Sequence, residues 1–168
     1  MASDNAVKTD HRELTEAERE EFILDNSNGF LGFGGDKPYV IPVAYFYRKG
    51  TFIIGLAIPG RKMDYIQKSR NVCFTISKST VEAGFRKPCI GVMVEGELEE
   101  VTDRSYYGFG PRPEGNSSGI LFRIKADKIG SRRCTNKPCQ VYTPEIRKNW
   151  VSAEVSARQL HEGKRGPK

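Results

Sequence analysis

The tripeptide Gly60-Arg61-Lys62 is the part of the sequence best suited to chemistry. It stands at the predicted start of a short helix, where cations oppose the helix dipole at about 0.3–1 kcal/mol each. The sign reverses when an anion occupies that end, because free backbone amides, the dipole and both side chains then act on it together. Arg61 and Lys62 are therefore candidate ligands for the phosphate of a cofactor. The alternative is that both side chains are simply solvated.

The segment before this helix contains little side-chain bulk. Gly55, Leu56 and Ala57 lead to Gly60 and leave stretches of bare backbone. A flat aromatic ring system can lie close against such a backbone. The alternative is an ordinary strand in which a glycine marks a bulge.

Other kinds of catalytic site are not indicated. The two histidines, His11 and His161, lie in polar end segments, whereas a hydrolytic triad or a zinc site needs a histidine on a rigid element. No glycine-rich phosphate loop of the mononucleotide or dinucleotide type is present. Glu95, Glu97 and Glu99 share one face of a predicted strand, which is typical of a solvated face. We identify no catalytic side chain from these patterns and predict no metal site.

The cysteines are too few for a disulfide framework in a chain of 168 residues. We interpret them as reduced thiols. Cys134 and Cys139 have a spacing that a zinc half-site tolerates, but the second half is missing. A role in redox sensing is the other reading of this pair.

Composition predicts a soluble, single-domain protein, with 38% hydrophobic and 29% charged residues. The longest apolar runs are far shorter than the roughly 20 residues that span a bilayer, and the N-terminus lacks a signal-peptide pattern. We therefore expect a cytoplasmic protein without a membrane partner. The net charge of +6 is partly in the tail at 164–168, so a nucleic-acid partner is not expected.

The elements that must position Arg61 and Lys62 are mostly strands. A capping box that begins at Thr15 predicts a helix over 15–26. Pro42 requires its strand to be an edge or to bulge there. Six closely spaced strands indicate a small barrel or sandwich. The predicted strands are 30–33, 38–47, 51–58, 71–77, 89–101 and 120–129, the further helices are 61–70 and 144–157, and the loops are 80–88 and 105–119.

In order and spacing, several short segments resemble the pyridoxamine 5'-phosphate oxidase-like FMN-binding split-barrel family, and most of all its nitroimidazole-resistance branch. They are DHREL at 10–14, GFLG at 29–32, KPYVIPV at 37–43, GRKM at 60–63, NVCF at 71–74 and VMVEGEL at 92–98. The resemblance implies a mainly β protein with a six-stranded antiparallel split β-barrel of Greek-key form and a few short flanking helices. It places a flexible segment at 1–13, the FMN-binding domain at 14–157 and a basic tail at 158–168.

The resemblance also implies a homodimer with FMN in the clefts between subunits. Arg61 and Lys62 would take the phosphate, and Trp150 would reach the flavin from the second subunit. The ring and ribityl chain would lie along backbone of the two hairpin strands, at Pro42, Val43, Ala44, Tyr45, Gly55, Leu56 and Ala57. FAD, haem and deazaflavin are the less expected cofactors.

The expected function is an FMN-dependent oxidoreductase that acts on a small molecule. The alternative is a non-catalytic flavin, haem or deazaflavin binding protein, or a redox sensor. Gly55 stands where nitroimidazole-resistance proteins often carry a histidine, and the C-terminal substrate motif of the pyridoxamine phosphate oxidases has no clear counterpart. Tyr106, Tyr107 and Phe109, in the loop at 105–119, would cover the substrate side of the flavin.

Overall fold

The computed structural model describes residues 10–35, 37–79, 81–82, 85–86, 89–112 and 119–135. The chain divides into two compact units, one of Glu13–Lys78 with Ile90–Arg132 and one of Met1–Arg12 with Ser79–Cys89 and Arg133–Lys168. Within the described ranges, none of the helices combines the length and apolar character needed to cross a bilayer.

Six strands of the larger unit close into an antiparallel barrel. The strands along the chain are β1 (His11–Arg12), β2 (Asn28–Phe33), β3 (Tyr39–Arg48), β4 (Thr51–Leu56), β5 (Asn71–Lys78), β6 (Val81–Glu82), β7 (Phe85–Arg86), β8 (Ile90–Glu100) and β9 (Ile120–Cys134). The barrel order is β9-β4-β3-β2-β5-β8, and pairing of β8 with β9 closes the ring. The predicted mainly β fold with a six-stranded antiparallel barrel is confirmed.

Two short helices flank the barrel. Helix α1 (Glu16–Leu24) begins with the predicted capping box, because Thr15 Oγ1 accepts a hydrogen bond from the Glu18 amide and the Glu18 carboxylate accepts one from the Thr15 amide. Its Phe22 and Ile23 side chains are buried. Helix α2 (Arg61–Lys68) buries Ile66, so each helix attaches to the barrel through an apolar side chain.

Inward-facing side chains alternate with exposed ones along the strands and form the core. At its centre, the rings of Tyr45, Phe52 and Phe74 contact one another with centroids 5.3–5.4 Å apart. Such edge-to-face and tilted packing adds about 0.5–1.5 kcal/mol per pair to the burial of the rings. The core is therefore fixed from β3, β4 and β5 together.

Strand β3 changes partners along its length, which explains Pro42. From Tyr39 to Ala44 it pairs with β2, and from Tyr45 to Arg48 it pairs with β4. Pro42 thus lies in a part of the strand that has one paired neighbour, as the edge prediction required.

Some local predictions are wrong, for both distant and local strand pairing. Strand β9 continues past residue 129 because its end pairs with β1, within the segment predicted to be flexible. The predicted loop at 80–88 contains the paired strands β6 and β7, and a 3₁₀ turn occupies Ser105–Tyr107 at the start of the other predicted loop. The predicted helix at 144–157, Trp150, Cys139 and the tail at 158–168 lie outside the described residues.

Substituting Tyr45 by phenylalanine should make the free energy of unfolding less dependent on pH at alkaline pH. Burial raises the pKa of Tyr45 to about 12, and its hydroxyl donates a 2.6 Å hydrogen bond to the Ile23 carbonyl. A raised folded-state pKa contributes stability that is complete below pH 10 and is lost as the pH rises towards 12. Urea unfolding between pH 8 and 12 should show this loss in the wild type and a smaller one in Tyr45→Phe.

The same variant should be about 1 kcal/mol less stable at neutral pH, because it lacks the hydrogen bond. Burial and the Glu20 carboxylate also raise the pKa of Tyr47, which both proteins retain, so the difference between the two curves isolates Tyr45. Parallel curves would contradict the assignment.

Candidate functional site

A strip of small residues lies exposed where β3 and β4 separate. Pro42 and Ala44 face outward from β3, Gly55 faces outward from β4, and Ala57 follows β4. The last registered pair before the strands part is Tyr45 with Ile54. The small-residue strip, as we call these four residues, therefore carries little side-chain bulk of its own, and the nearest side-chain atom to a Cβ placed on Gly55 is Leu121 Cδ2, at 3.5 Å.

The other predicted flavin-binding residues of β3 and β4 alternate with the strip, and their side chains face the core. Val43, Tyr45 and Leu56 are 9%, 4% and 2% exposed, with their side chains in the core. Only their backbone groups are available to a ligand on the outer face. These positions are predicted for their backbone, and the two runs of predicted residues adjoin Tyr45 and Ile54, where the pairing of β3 with β4 ends.

Aromatic residues bound the strip towards the closed end of the hairpin. The ring of Phe46 contacts that of Phe109 with centroids 5.2 Å apart. Ile53 is buried in a small cluster with Tyr107 on the outer side of the barrel. The segment after β8 thus covers the hairpin next to the strip and leaves the strip itself open.

Cations at the hairpin tip hold this covering segment in place. The Arg48 guanidinium lies 4.5 Å from the Phe109 ring centroid and donates a hydrogen bond to the Tyr107 carbonyl. The Lys49 ammonium lies 4.0 Å from the Tyr106 ring centroid. Tyr107 and Phe109 therefore have fixed positions, whereas Tyr106 remains 54% exposed.

Helix α2 starts immediately after the strip and presents a free N-terminus. Gly60 has a φ of 153°, and no side chain caps the helix there. A Cβ on Gly60 would lie 2.9 Å from Lys62 Nζ, so the ammonium folds back over the Gly60 backbone. The first amides of α2 and the Lys62 ammonium are thus arranged for an anion.

Arg61 has a different support from Lys62. Its guanidinium lies 4.7 Å from the ring centroid of Tyr39, and Nη2 donates a 3.1 Å hydrogen bond to the Tyr65 hydroxyl. The Tyr65 hydroxyl in turn donates a 2.9 Å hydrogen bond to the Lys37 carbonyl. The sequence pattern predicts Arg61 and Lys62 as one pair and gives no indication of the rings of Tyr39 and Tyr65. The spacing of four residues from Arg61 to Tyr65 was the available signal.

A second polar cleft, of about 380 Å³, lies between the end of β8 and the 3₁₀ turn. Arg123 donates to the Tyr107 hydroxyl and to the Glu99 carboxylate, and these bonds raise the pKa of the guanidinium. Glu95 and Glu97 are exposed on the same strand face, as predicted. Because Glu99, Glu100 and Asp103 outnumber Arg123 among its lining residues, this cleft is acidic and does not suit a phosphate.

Metal and disulfide chemistry has no visible site in the described part of the chain. Its residues include no group of three or more histidine, cysteine, aspartate or glutamate side chains placed to hold a metal ion. Cys73, Cys89 and Cys134 are free thiols.

An antiparallel barrel with an open strand edge beside a short helix defines the class of split-barrel proteins. A family model described as pyridoxamine 5'-phosphate oxidase matches residues 15–106, more than half of the chain. The chain belongs to this family, and the predicted family membership is confirmed. The sequence matches no curated protein.

Solved structures agree with this fold. They include an FAD-binding protein from Mesorhizobium loti, with 20% identity, a TM-score of 0.56, and coverage of 73% of this chain and 97% of that one. A proposed 5-nitroimidazole antibiotic resistance protein from Bacteroides thetaiotaomicron has 18% identity, a TM-score of 0.59, and coverage of 76% and 89%. An FAD and haem binding protein from Mycobacterium smegmatis has 10% identity, a TM-score of 0.57, and coverage of 76% of each chain. At these identities the likeness concerns the fold.

Proposed function

We propose that this protein binds a flavin nucleotide, FMN, along the small-residue strip, with the phosphate at the N-terminus of α2. The observation that carries the proposal is that the N-terminus of α2 follows the small-residue strip almost directly. Only residues 58–60 separate Ala57 from Arg61. A planar ring requires exposed backbone without overlying side chains, and a phosphate requires free amides and cations. One continuous stretch offers small exposed side chains for the ring, and free amides with two cations for the phosphate.

The electrostatics favour the phosphate over a neutral group. Lys62 Nζ lies over Gly60, and Arg61 is held against Tyr39. Both cations start the same helix, whose dipole adds to their attraction for an anion. The flavin would supply electron transfer, and the chain would supply its binding and orientation.

The relatives support a flavin as the ligand. The neighbours from Mesorhizobium loti and Mycobacterium smegmatis are FAD-binding proteins, and the latter also binds haem. FMN is the portion of FAD that the strip and the start of α2 would accommodate. We further propose a cytoplasmic oxidoreductase that acts on a small molecule, with the covering segment at Tyr107 and Phe109 bordering the substrate side.

A homodimer is the proposed assembly. Large apolar side chains stand exposed on the outer face that carries Pro42, with Phe30, Val40, Phe46 and Met93 at 52%, 58%, 48% and 44%. The registers place Phe30 beside Pro42 on one side and beside Thr75 on the other, and Met93 follows Thr75, so these side chains form one patch. Patches of this kind mark interfaces. A second copy of the chain would cover it and enclose the strip.

The alternative is a binding protein without turnover, and one observation favours it. The four side chains of the small-residue strip carry no titratable group, so they offer no acid or base to a reaction. Steady-state assays with NADH or NADPH and an artificial electron acceptor separate the two functions. Turnover supports an oxidoreductase, and a reducible but idle flavin supports a carrier or sensor.

The visible absorption spectrum of the purified protein, with and without added FMN, tests the proposal. We expect flavin bands, release of FMN on denaturation, and a particle of two chains in sedimentation. A colourless protein that leaves the spectrum and fluorescence of added FMN unchanged would contradict flavin binding. A haem spectrum would replace the flavin proposal with the haem alternative.

A further inference from the structure

A basic groove runs along one face of α2, on the side where Arg61 is supported. Its volume is about 460 Å³. It lies between the turn that joins β2 to β3 and one face of α2, on which residues three or four positions apart stand next to one another. The lining residues are Gly34, Gly35, Lys37, Arg61, Asp64, Tyr65, Lys68 and Ser69. We refer to this feature as the α2 groove.

The charge of the α2 groove suits an anion. Lys37, Arg61 and Lys68 are cations, and Asp64 is the one carboxylate among these lining residues. Lys37 and Lys68 are exposed, so each is free to turn its ammonium into the groove. Tyr65 ties both walls together, because its hydroxyl bonds to Arg61 and to the Lys37 backbone. Arg61 is thereby fixed at the end nearest the N-terminus of α2.

We propose that the α2 groove is a second phosphate subsite, distinct from the FMN phosphate position at the start of α2. This deepens the proposed function and rests on it for the position of the first phosphate. Two groups of cations stand side by side: Lys62 and Arg61 at the helix start, and Lys37 and Lys68 further along the groove. Arg61 lines the groove and Lys62 does not, so the two phosphate positions are adjacent and Arg61 lies between them.

The second phosphate has two possible sources that share this chemistry. It is either the second phosphate of FAD, joined to the first, or the phosphate of a separate ligand that binds beside FMN. The variant Lys37→Met/Lys68→Met removes two cations from the groove and leaves Arg61 and Lys62 in place. Lys78→Met/Lys128→Met is the matched control, because both of its lysines are exposed and neither lines the groove.

Flavin fluorescence titrations with FMN and FAD, and calorimetric titrations of the FMN-loaded protein with inorganic phosphate, test the subsite. If FAD is the source, the wild type and the control bind FAD about tenfold more tightly than FMN, from charge-assisted bonds to the extra phosphate. The groove variant then binds both equally and keeps the FMN affinity. If the source is a separate ligand, FMN and FAD bind alike, and inorganic phosphate binds the FMN-loaded wild type but not the groove variant.

The subsite is overturned if the wild type shows neither a preference for FAD nor phosphate binding, or if the groove variant retains what the wild type shows. Failure of the proposed function has a different signature. In that case neither flavin binds any of the proteins. Titration of the flavin-free wild type and of the flavin-free groove variant with inorganic phosphate then tests the subsite by itself, and binding to the wild type alone supports it.

Discussion

Replacing Arg61 and Lys62 together by alanine is expected to raise the Kd for FMN by about 100-fold or more. Each cation would contribute a charge-assisted hydrogen bond to the phosphate, and two such bonds contribute about 3–6 kcal/mol. The Lys62 ammonium already lies over the Gly60 backbone, and Arg61 is held by Tyr39 and Tyr65, so little side-chain ordering opposes binding. Fluorescence titration of the apoprotein with FMN measures the change.

The barrel should remain folded in this double variant. Arg61 is exposed, and loss of its contact with Tyr39 removes about 0.5–1 kcal/mol. Lys78→Ala/Lys128→Ala removes the same charge at exposed sites and should bind FMN as the wild type does. A double variant that is folded and purifies as yellow as the wild type would contradict the phosphate site. If the double variant loses FMN, the single variants show whether Lys62, at the free amides, contributes more than Arg61.

Local patterns in the sequence were sufficient for most of the barrel. The capping box at Thr15 predicted the start of α1, and the predicted strands that correspond to β3, β5 and β8, whose residues alternate between buried and exposed, agree with the structure within one or two residues. These features depend on neighbouring residues, so they can be read from a short window. The outward placement of Pro42, Ala44 and Gly55 follows from the same alternation once one inward residue is known.

The features that were missed depend on residues far apart in the chain. Arg61 lies over Tyr39, which is 22 positions earlier, and no local pattern links them. The end of β9 extends because it pairs with β1, more than a hundred residues away. The α2 groove arises in the same way, since Lys37 belongs to the turn between β2 and β3 while Lys68 ends the helix. The sequence shows that Lys37, Arg61 and Lys68 are cations, but only the fold shows that they line one groove.

Gly96 is needed for the packing of β9 against β8 and not for a bulge within β8. A glycine inside a strand often marks a bulge, yet the pairing of β8 with β5 is continuous through Val72 and Gly96. The glycine instead allows β9 to approach the other side of β8. A Cβ on Gly96 would lie 3.0 Å from the Lys125 carbonyl carbon and from the Ala126 Cα, and closer still to the Lys125 carbonyl oxygen. The contact is backbone on backbone, so no side chain can move aside.

Gly96→Ala should therefore cost about 3 kcal/mol or more of the free energy of unfolding, a large part of the roughly 5–15 kcal/mol that stabilises a domain. Gly91→Ala, on the same strand, is the matched control, because its Cβ would meet the Ile76 carbonyl oxygen at an ordinary 3.6 Å. We expect that control to stay within about 0.5 kcal/mol of the wild type in urea unfolding. Equal stability of the two variants would show that β8 and β9 are not held this closely, and the closure of the barrel at Gly96 would have to be revised.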